Sequence, residues 1–276
     1  MPSKETVPRR RSLSLAHLSV IDAVPAELVH IAAEAGFDLV DLRLAPATPA
    51  DRTYSPGELA QLCRELSPVL RSAGMRVWDV EIIRINDATV PESYLPLMEA
   101  AARLGAARMK LVCDSEDHAR AAGTIAALAR LAAPFGLMLD LEYMVFSGVK
   151  SLQAALRLVA AATQPNLCVL VDALHWMRAG DSAEALRDIG RLGYVQLCDG
   201  LAAAPVGQDA LIGEARGHRL APGEGAFALD ALLAAMPPGC VASLEVPLPP
   251  GQDALAHARK LYRAGRAISD RHEEVA

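Results

Sequence analysis

Residues 136–172 read GLMLDLEYMVFSGVKSLQAALRLVAAATQPNLCVLVD, and this stretch decides the fold class. Its first apolar run, Leu137–Glu142, is short and follows a glycine, which is typical of a buried parallel strand. The segment Leu152–Ala162 is rich in Ala and Leu, as a helix is, and Leu167–Asp172 is a second short apolar run. The stretch is therefore predicted to be one strand–helix–strand unit with parallel strands.

Outward from this unit, the same alternation occurs eight times along the chain. The predicted strands are Leu13–Leu18, Leu39–Leu44, Met75–Ile83, Arg108–Cys113, Leu137–Glu142, Leu167–Asp172, Tyr194–Cys198 and Val241–Glu245. The predicted helices are Ala26–Ala35, Pro56–Ala73, Pro91–Leu104, Glu116–Ala133, Leu152–Ala162, Ala183–Ile189, Ala228–Ala235 and Ala254–Ala267. Helix boundaries carry the expected signals, since Ser55-Pro56 places a proline in a first turn and Gly74 follows the same helix as a C-terminal cap.

Eight strand–helix units with a period of about 30 residues predict a single-domain (β/α)8 TIM barrel. We place the barrel at residues 13–270 and a flexible N-terminal segment at residues 1–12. A doubly wound open sheet is the alternative, but it usually has a glycine-rich turn after its first strand. The segment His17–Asp22 is not such a turn, so the pattern favours the barrel.

Composition excludes several classes of function. The chain of 276 residues has a formal net charge of −6, which argues against nucleic acid as a partner, because phosphates need a basic surface. There is no run of 18 apolar residues, so no membrane span is predicted, and the cytoplasm is the default location. The five cysteines show no Cys-x-x-Cys spacing and indicate a reduced protein. The Ala- and Leu-rich helices offer a surface for a homo-oligomer, although nothing fixes the oligomeric state.

Polar side chains end four consecutive predicted strands. In such barrels the active site lies at the carboxyl ends of the strands. Side chains alternate along a strand, so placing each terminal carboxylate inward makes a ring of four residues. These are Glu142, Asp172, Gln196 and Glu245.

A cation explains this ring better than chance does. One acidic residue after a strand is usually a turn former or a helix N-cap, but four polar ends on consecutive strands are less readily accidental. Three crowded carboxylates repel one another unless they are protonated or neutralised. An oxygen-rich set of ligands suits Mn²⁺, Mg²⁺ or Co²⁺, so we predict one divalent cation here. Asp140, one layer below Glu142, is interpreted as support for this site.

These residues resemble the sugar phosphate isomerase/epimerase superfamily, the xylose isomerase-like TIM barrels, and the likeness extends from Leu13 to about Ile268. It rests on Leu141-Glu142, Asp172-x-x-His175, Val195-Gln196-Leu197-Cys198-Asp199, Arg219-x-x-Pro222-Gly223-x-Gly225 and Ser243-Leu244-Glu245.

The ketose 3-epimerase branch of that superfamily implies a role for each site residue. The metal ligands would be Glu142, Asp172, Gln196 and Glu245. Glu142 and Glu245 would also act as catalytic acid and base, whereas His175 and Arg219 would bind substrate oxygens. Many members have a histidine where this chain has Gln196, and members with glutamine include dehydratases similar to 3-dehydroshikimate dehydratase. Four residues are candidates for the opposite wall of the site: His17, Trp78, Glu81 and Arg84.

The leading hypothesis is a divalent-metal-dependent sugar isomerase or epimerase that abstracts a proton next to the metal-bound carbonyl of a keto sugar or polyol. The alternative is a lyase of the same fold that dehydrates a cyclic hydroxy-ketone, such as 3-dehydroshikimate or an inosose. A third hypothesis is a carbohydrate-binding barrel without catalysis. All three have a small sugar or cyclic polyol as the partner.

Overall fold

The eight predicted strands form a closed barrel in which every neighbouring pair is parallel, and β1 closes the barrel against β8. The computed structural model of the protein describes residues 10–48, 51–187 and 189–272. The strands are β1 (Leu13–Ala16), β2 (Leu39–Arg43), β3 (Arg76–Ile85), β4 (Arg108–Cys113), β5 (Met138–Glu142), β6 (Leu167–Asp172), β7 (Leu192–Leu197) and β8 (Ala242–Leu244). The single-domain (β/α)8 barrel is thereby confirmed. Residues 1–9 of the predicted N-terminal segment lie outside the described residues.

Helices lie between the strands around the barrel. They are α1 (Pro25–Ala35), α2 (Pro56–Ala73), α3 (Leu95–Arg103), α4 (His118–Ala132), α5 (Leu152–Ala162), α6 (Ala173–Ala179), α7 (Gln208–Gly217), α8 (Leu229–Ala235) and α9 (Ala254–Ser269). One predicted helix was wrong: the described part of Ala183–Ile189 forms a short 3-10 turn at Ala183–Leu186. The structure also has a helix, α7, where no helix was predicted.

Local chemistry fixes the helix ends, as α2 shows. The Ser55 hydroxyl accepts a hydrogen bond from the Glu58 backbone N–H at 3.3 Å, and the Ser55 N–H donates to the Glu58 carboxylate at 2.7 Å. This reciprocal pair satisfies two N–H groups that the first helical turn leaves without partners. Gly74 ends the helix at a φ of 65°, a left-handed conformation that glycine adopts without strain.

The main hydrophobic core lies between the barrel and its helices, and the barrel interior is largely polar. Ser14 donates to Asp41 at 2.7 Å, and Ser243 donates to the other oxygen of the same carboxylate. Tyr194 donates to Asp79 one layer away. Buried polar groups are stable only when they are paired in this way. The interior therefore forms a polar column that leads up to the carboxyl ends of the strands.

No helix in the described ranges is both long and apolar enough to cross a bilayer. The five cysteines are all free, as the sequence predicts.

Candidate active site

Three carboxylates converge at the carboxyl end of the barrel. Glu142 ends β5, Asp172 ends β6, and Glu245 follows β8. Each offers an oxygen, and these oxygens all lie within 4.8 Å of one another. All three residues are buried, so their mutual repulsion is poorly screened by water. The convergence that strand alternation predicts is therefore present in the structure.

Gln196 completes the ring, because it pairs with Asp172 in the register of β6 and β7. Its amide nitrogen donates to Glu245 at 2.9 Å, which leaves its buried amide oxygen with no hydrogen-bond partner among the described residues. Three carboxylates and an unpartnered amide oxygen are a donor set that suits a hard divalent cation. These four residues fit the predicted ion.

Asp172 and His175 are placed by the start of α6. One oxygen of Asp172 accepts from the backbone N–H groups of Leu174 and His175, at 2.8 and 3.1 Å, as a helix N-cap does. The His175 ring lies edge-on to Phe146, with the ring centroids 5.3 Å apart, and burial lowers the pKa of His175 to about 4. The imidazole is therefore neutral at physiological pH.

Arg219 lies across the carboxylate ring. Its guanidinium is 2.6 Å from the second oxygen of Asp172 and 3.1 Å from Glu245, and its Nε donates to the Ala215 carbonyl. The sequence predicts Arg219 as a residue that binds substrate. In the structure its nearest partners are the carboxylates of the site.

Asp199 holds the segment that carries Arg219. Its side chain accepts hydrogen bonds from three backbone N–H groups, those of Gly200, Gly223 and Phe227, at 2.8–2.9 Å. Backbone hydrogen bonds also join Asp199 to Leu220 in both directions. The two sequence motifs that follow β7 are therefore one structural unit.

Lys110 lies at the candidate site and was not predicted from the sequence. It lies in β4, and its ammonium nitrogen is 3.1 Å from Glu245, 3.7 Å from Glu142 and 3.2 Å from Glu81. A signal was available, because a lysine inside a predicted buried strand is rare unless it is paired. Burial acts to lower the pKa of Lys110, but the surrounding carboxylates outweigh burial and hold it well above its usual range.

The pKa values of Glu142 and Glu81 are shifted in opposite directions. Burial raises the pKa of Glu142 to about 8, and the neighbouring carboxylates of Glu245 and Asp172 act in the same direction. Burial also acts to raise the pKa of Glu81, but Lys110 and Arg43 outweigh it and lower this pKa to about 2. Glu142 can thus hold a proton near neutral pH while no ion is bound.

The predicted opposite wall is only partly correct. The carboxylate of Glu81 is connected to the site by its ion pair with Lys110, at 3.2 Å. Arg84 lines the cavity and donates two hydrogen bonds to Asp114. Trp78 lies lower in the barrel, with its ring 6.0 Å from that of Tyr194.

Two further predictions for residues near the site were wrong. His17 turns away from the cavity to bond the Ala23 carbonyl and the Arg43 N–H. Asp140 does not support the ring either, because its carboxylate pairs with Arg108 at 2.9 Å. The parity of β5 places Asp140 one layer too low to reach the ligands.

A cavity of about 190 Å³ opens above the ring and admits a small molecule. It is lined by Arg43, Arg84, Lys110, Glu142, Phe146, His175, Arg216, Arg219 and Glu245, among others. A larger groove of about 360 Å³ lies outside the barrel against α2, next to Tyr54 and Gln61. The described residues include a single cluster of possible metal-ligating groups, and this cluster lies at the barrel cavity.

Comparisons with solved structures agree with the fold. The crystal structure of the IOLI protein with a binding zinc atom superposes on this chain with a TM-score of 0.79 at 16% identity. The match covers 95% of this chain and 99% of that chain. D-allulose 3-epimerase from Methylomonas sp. has a TM-score of 0.68 at 17% identity, covering 95% and 99% of the two chains. The probable 3-DHS dehydratase AsbF from Bacillus anthracis has a TM-score of 0.70 at 14% identity, covering 91% and 97%.

Sequence comparison supplies the family. A search of curated proteins finds no significant match. The family model described as "Xylose isomerase-like TIM barrel" matches residues 29–267, which is most of the chain and includes all four residues of the ring. The chain therefore belongs to the xylose isomerase-like TIM barrel family.

Proposed function

We propose that this protein is a divalent-metal-dependent sugar isomerase or epimerase, which acts by proton abstraction next to the carbonyl of a keto sugar or polyol. The observation that carries the proposal is the convergence of three carboxylates, whose oxygens lie within 4.8 Å of one another, beside Gln196, whose amide nitrogen donates to Glu245. The likeness in fold to D-allulose 3-epimerase is consistent with this reaction class.

Glu142, Asp172, Gln196 and Glu245 would hold the ion. When bound, a divalent ion supplies Lewis-acid polarisation of the substrate carbonyl, which makes the neighbouring C–H more acidic. The protein supplies the proton transfers. Lys110, Arg219 and the Gln196 amide fix Glu245 in place, and it would serve as the proton acceptor. Glu142 borders the same cavity and would serve as the second acid–base group, returning a proton to the substrate.

The position to which the proton returns decides the product. Return to the same carbon from the opposite face inverts that carbon and gives an epimerase, whereas return to the neighbouring carbon gives an aldose–ketose isomerase. The neutral imidazole of His175 and the guanidinium of Arg219 border the same cavity and would orient substrate oxygens. Orientation of this kind lowers the barrier by fixing the reacting atoms in place.

A lyase that dehydrates a cyclic hydroxy-ketone, such as 3-dehydroshikimate or an inosose, is the second candidate. Gln196 favours it, because glutamine at this position resembles the dehydratases of the superfamily, and the fold is similar to that of the probable 3-DHS dehydratase AsbF. This reaction begins with the same proton abstraction and then expels a β-hydroxyl group.

Exchange of the substrate α-hydrogen with solvent deuterium tests the step that both candidates share. We expect exchange with Mn²⁺ present on at least one member of a panel of keto sugars and cyclic hydroxy-ketones. Glu245→Gln and Glu142→Gln should each lower the rate by about 10²–10⁴, which is the usual contribution of a general acid or base. Glu116→Gln is the matched control, since Glu116 also follows a strand but is exposed.

The products separate the candidates. A new sugar in the chromatogram indicates isomerisation or epimerisation, and absorbance of an aromatic product indicates dehydration of 3-dehydroshikimate. Exchange that persists unchanged in both glutamine variants would contradict the proposed roles. Binding of sugars without any exchange would instead support a non-catalytic carbohydrate-binding barrel.

A further inference from the structure

Lys110 places a permanent positive charge inside the carboxylate ring. The residue is 2% exposed and lies on a barrel strand, so its ammonium is largely shielded from bulk solvent. Three carboxylates surround the nitrogen, those of Glu81, Glu142 and Glu245, at 3.1–3.7 Å. The ammonium donates a hydrogen bond to Glu245 and forms ion pairs with the other two carboxylates.

A divalent ion in this site would draw on two of the carboxylates that pair with this ammonium. Two of the three partners of Lys110, Glu142 and Glu245, belong to the cluster whose oxygens lie within 4.8 Å of one another. An ion in that cluster would therefore lie close to the lysine charge, and like charges in a buried site repel strongly.

Glu81 provides Lys110 with a partner that the ion does not need. It lies outside the cluster of possible ligands, and Arg43 holds one of its oxygens at 2.8 Å. The other oxygen is buried and has no hydrogen-bond partner among the described residues. The ammonium can therefore turn towards Glu81 when Glu142 and Glu245 bind an ion, without leaving its charge unpaired.

We propose that Lys110 is a resident counter-ion that holds Glu142 and Glu245 when no metal is bound, and that it lowers the affinity of the site for a divalent ion by competing for them. The inference rests on the proposed function for its metal site. In the metal-bound protein, Glu81 would remain the ion-pair partner of the Lys110 ammonium.

Isothermal titration calorimetry of the metal-free protein with Mn²⁺ measures the Kd and tests the role of Lys110 without any substrate. Lys110→Met removes the charge and keeps most of the volume, so we expect its Kd for Mn²⁺ to fall at least about tenfold. The same variant should have a lower Tm than the wild type without Mn²⁺ and should regain most of the difference with it. Lys150→Met is the control, because Lys150 is an exposed lysine whose loss should leave the Kd unchanged.

Glu81→Gln tests the inference in the opposite direction and decides it if Lys110→Met does not fold. An amide leaves the ammonium poorly paired once an ion arrives, so we expect the Kd for Mn²⁺ to rise at least about threefold. An unchanged or higher Kd in folded Lys110→Met would overturn the role of Lys110. An unchanged Kd in Glu81→Gln would overturn it too. In either case, metal binding by the wild type leaves the proposed function intact. Absence of Mn²⁺ binding in the wild type and both variants would overturn both proposals.

Discussion

Asp172 uses its two carboxylate oxygens for different tasks. One caps the first turn of α6, and the other pairs with Arg219. The capping bonds fix the orientation of the carboxylate before any ion or substrate is present. The sequence presents an N-cap and a position in the site as alternatives for Asp172, and the structure shows that this residue has both.

His175 should make stability depend on pH. Its pKa is about 4 in the folded protein against about 6.5 when exposed, so below pH 6.5 the unfolded chain binds a proton that the folded chain does not. Its contribution to stability is thus present above pH 6.5 and is lost as the pH falls towards 4. Because the raised pKa of Glu142 acts in the opposite direction, the loss is measured as a difference between variants: between pH 7 and pH 5 we expect the metal-free wild type to lose about 2 kcal/mol relative to His175→Gln in urea unfolding.

His175→Gln should lack this part of the pH dependence. His118→Gln, at an exposed position, should retain it. Identical losses of stability in the wild type and His175→Gln would show that another group is responsible.

At the scale of elements, β5 and β7 show how a buried ion pair limits its neighbours. Arg108 and Asp140 pair inside the barrel, and Gly193 lies against both side chains. A β-carbon at Gly193 would collide with the Asp140 carboxylate and come within 2.9 Å of Arg108. The absence of a side chain at this position is what leaves room for the pair.

Gly193→Ala should therefore destabilise the protein. We expect the free energy of unfolding to fall by about 1–3 kcal/mol, because the buried pair must shift to accept the methyl group. Gly213→Ala in α7 is the control: its methyl group meets nothing within 4 Å, and alanine favours a helix, so stability should rise by up to about 1 kcal/mol. Equal stability of Gly193→Ala and the wild type in urea would contradict the packing argument.

The segment after β7 depends on one carboxylate. Asp199→Ala would leave the N–H groups of Gly200, Gly223 and Phe227 without their acceptor. We expect the free energy of unfolding to fall by about 1–3 kcal/mol and Arg219 to lose its fixed position. Urea unfolding measures the first effect. Asp209→Ala, an exposed change in α7, should be neutral, and equal stability of the two variants would contradict the role of Asp199.

Sequence patterns predict some of these elements better than others, for physical reasons. Buried parallel strands are short apolar runs, so the sequence predicts the strands and the polar residues that end them. Because side chains alternate along a strand, it also predicts that Glu142 and Glu245 point into the same site. The helix α7 contains two glycines and few apolar residues, so its composition resembles that of a loop. The pairing of Lys110 with Glu245 joins residues 135 positions apart, and no local pattern encodes it.

At the scale of the whole molecule, closure of the barrel brings opposite charges together inside an acidic protein. The chain has a net charge of −6, yet Arg43, Lys110 and Arg219 all line the cavity above the carboxylate ring. The strands that carry these charges come from both halves of the chain and meet only in the closed sheet. Charge pairing at the site and folding of the barrel are therefore one cooperative event, and an ion bound there should stabilise the whole domain.

Stability should accordingly rise with Mn²⁺. At a concentration of 100 times the Kd, binding to the folded state alone contributes about 2.7 kcal/mol, which corresponds to an increase in Tm of about 5 °C for a domain of this size. Asp172→Asn can still cap α6 through its amide oxygen but removes a charged ligand, so its increase in Tm should be much smaller. Thermal unfolding with Mn²⁺ and then with excess chelator measures both effects, and Asp209→Asn provides the exposed control. If Asp172→Asn gained as much as the wild type, the ion would be binding elsewhere, because a site built from this ring cannot lose a carboxylate without losing affinity.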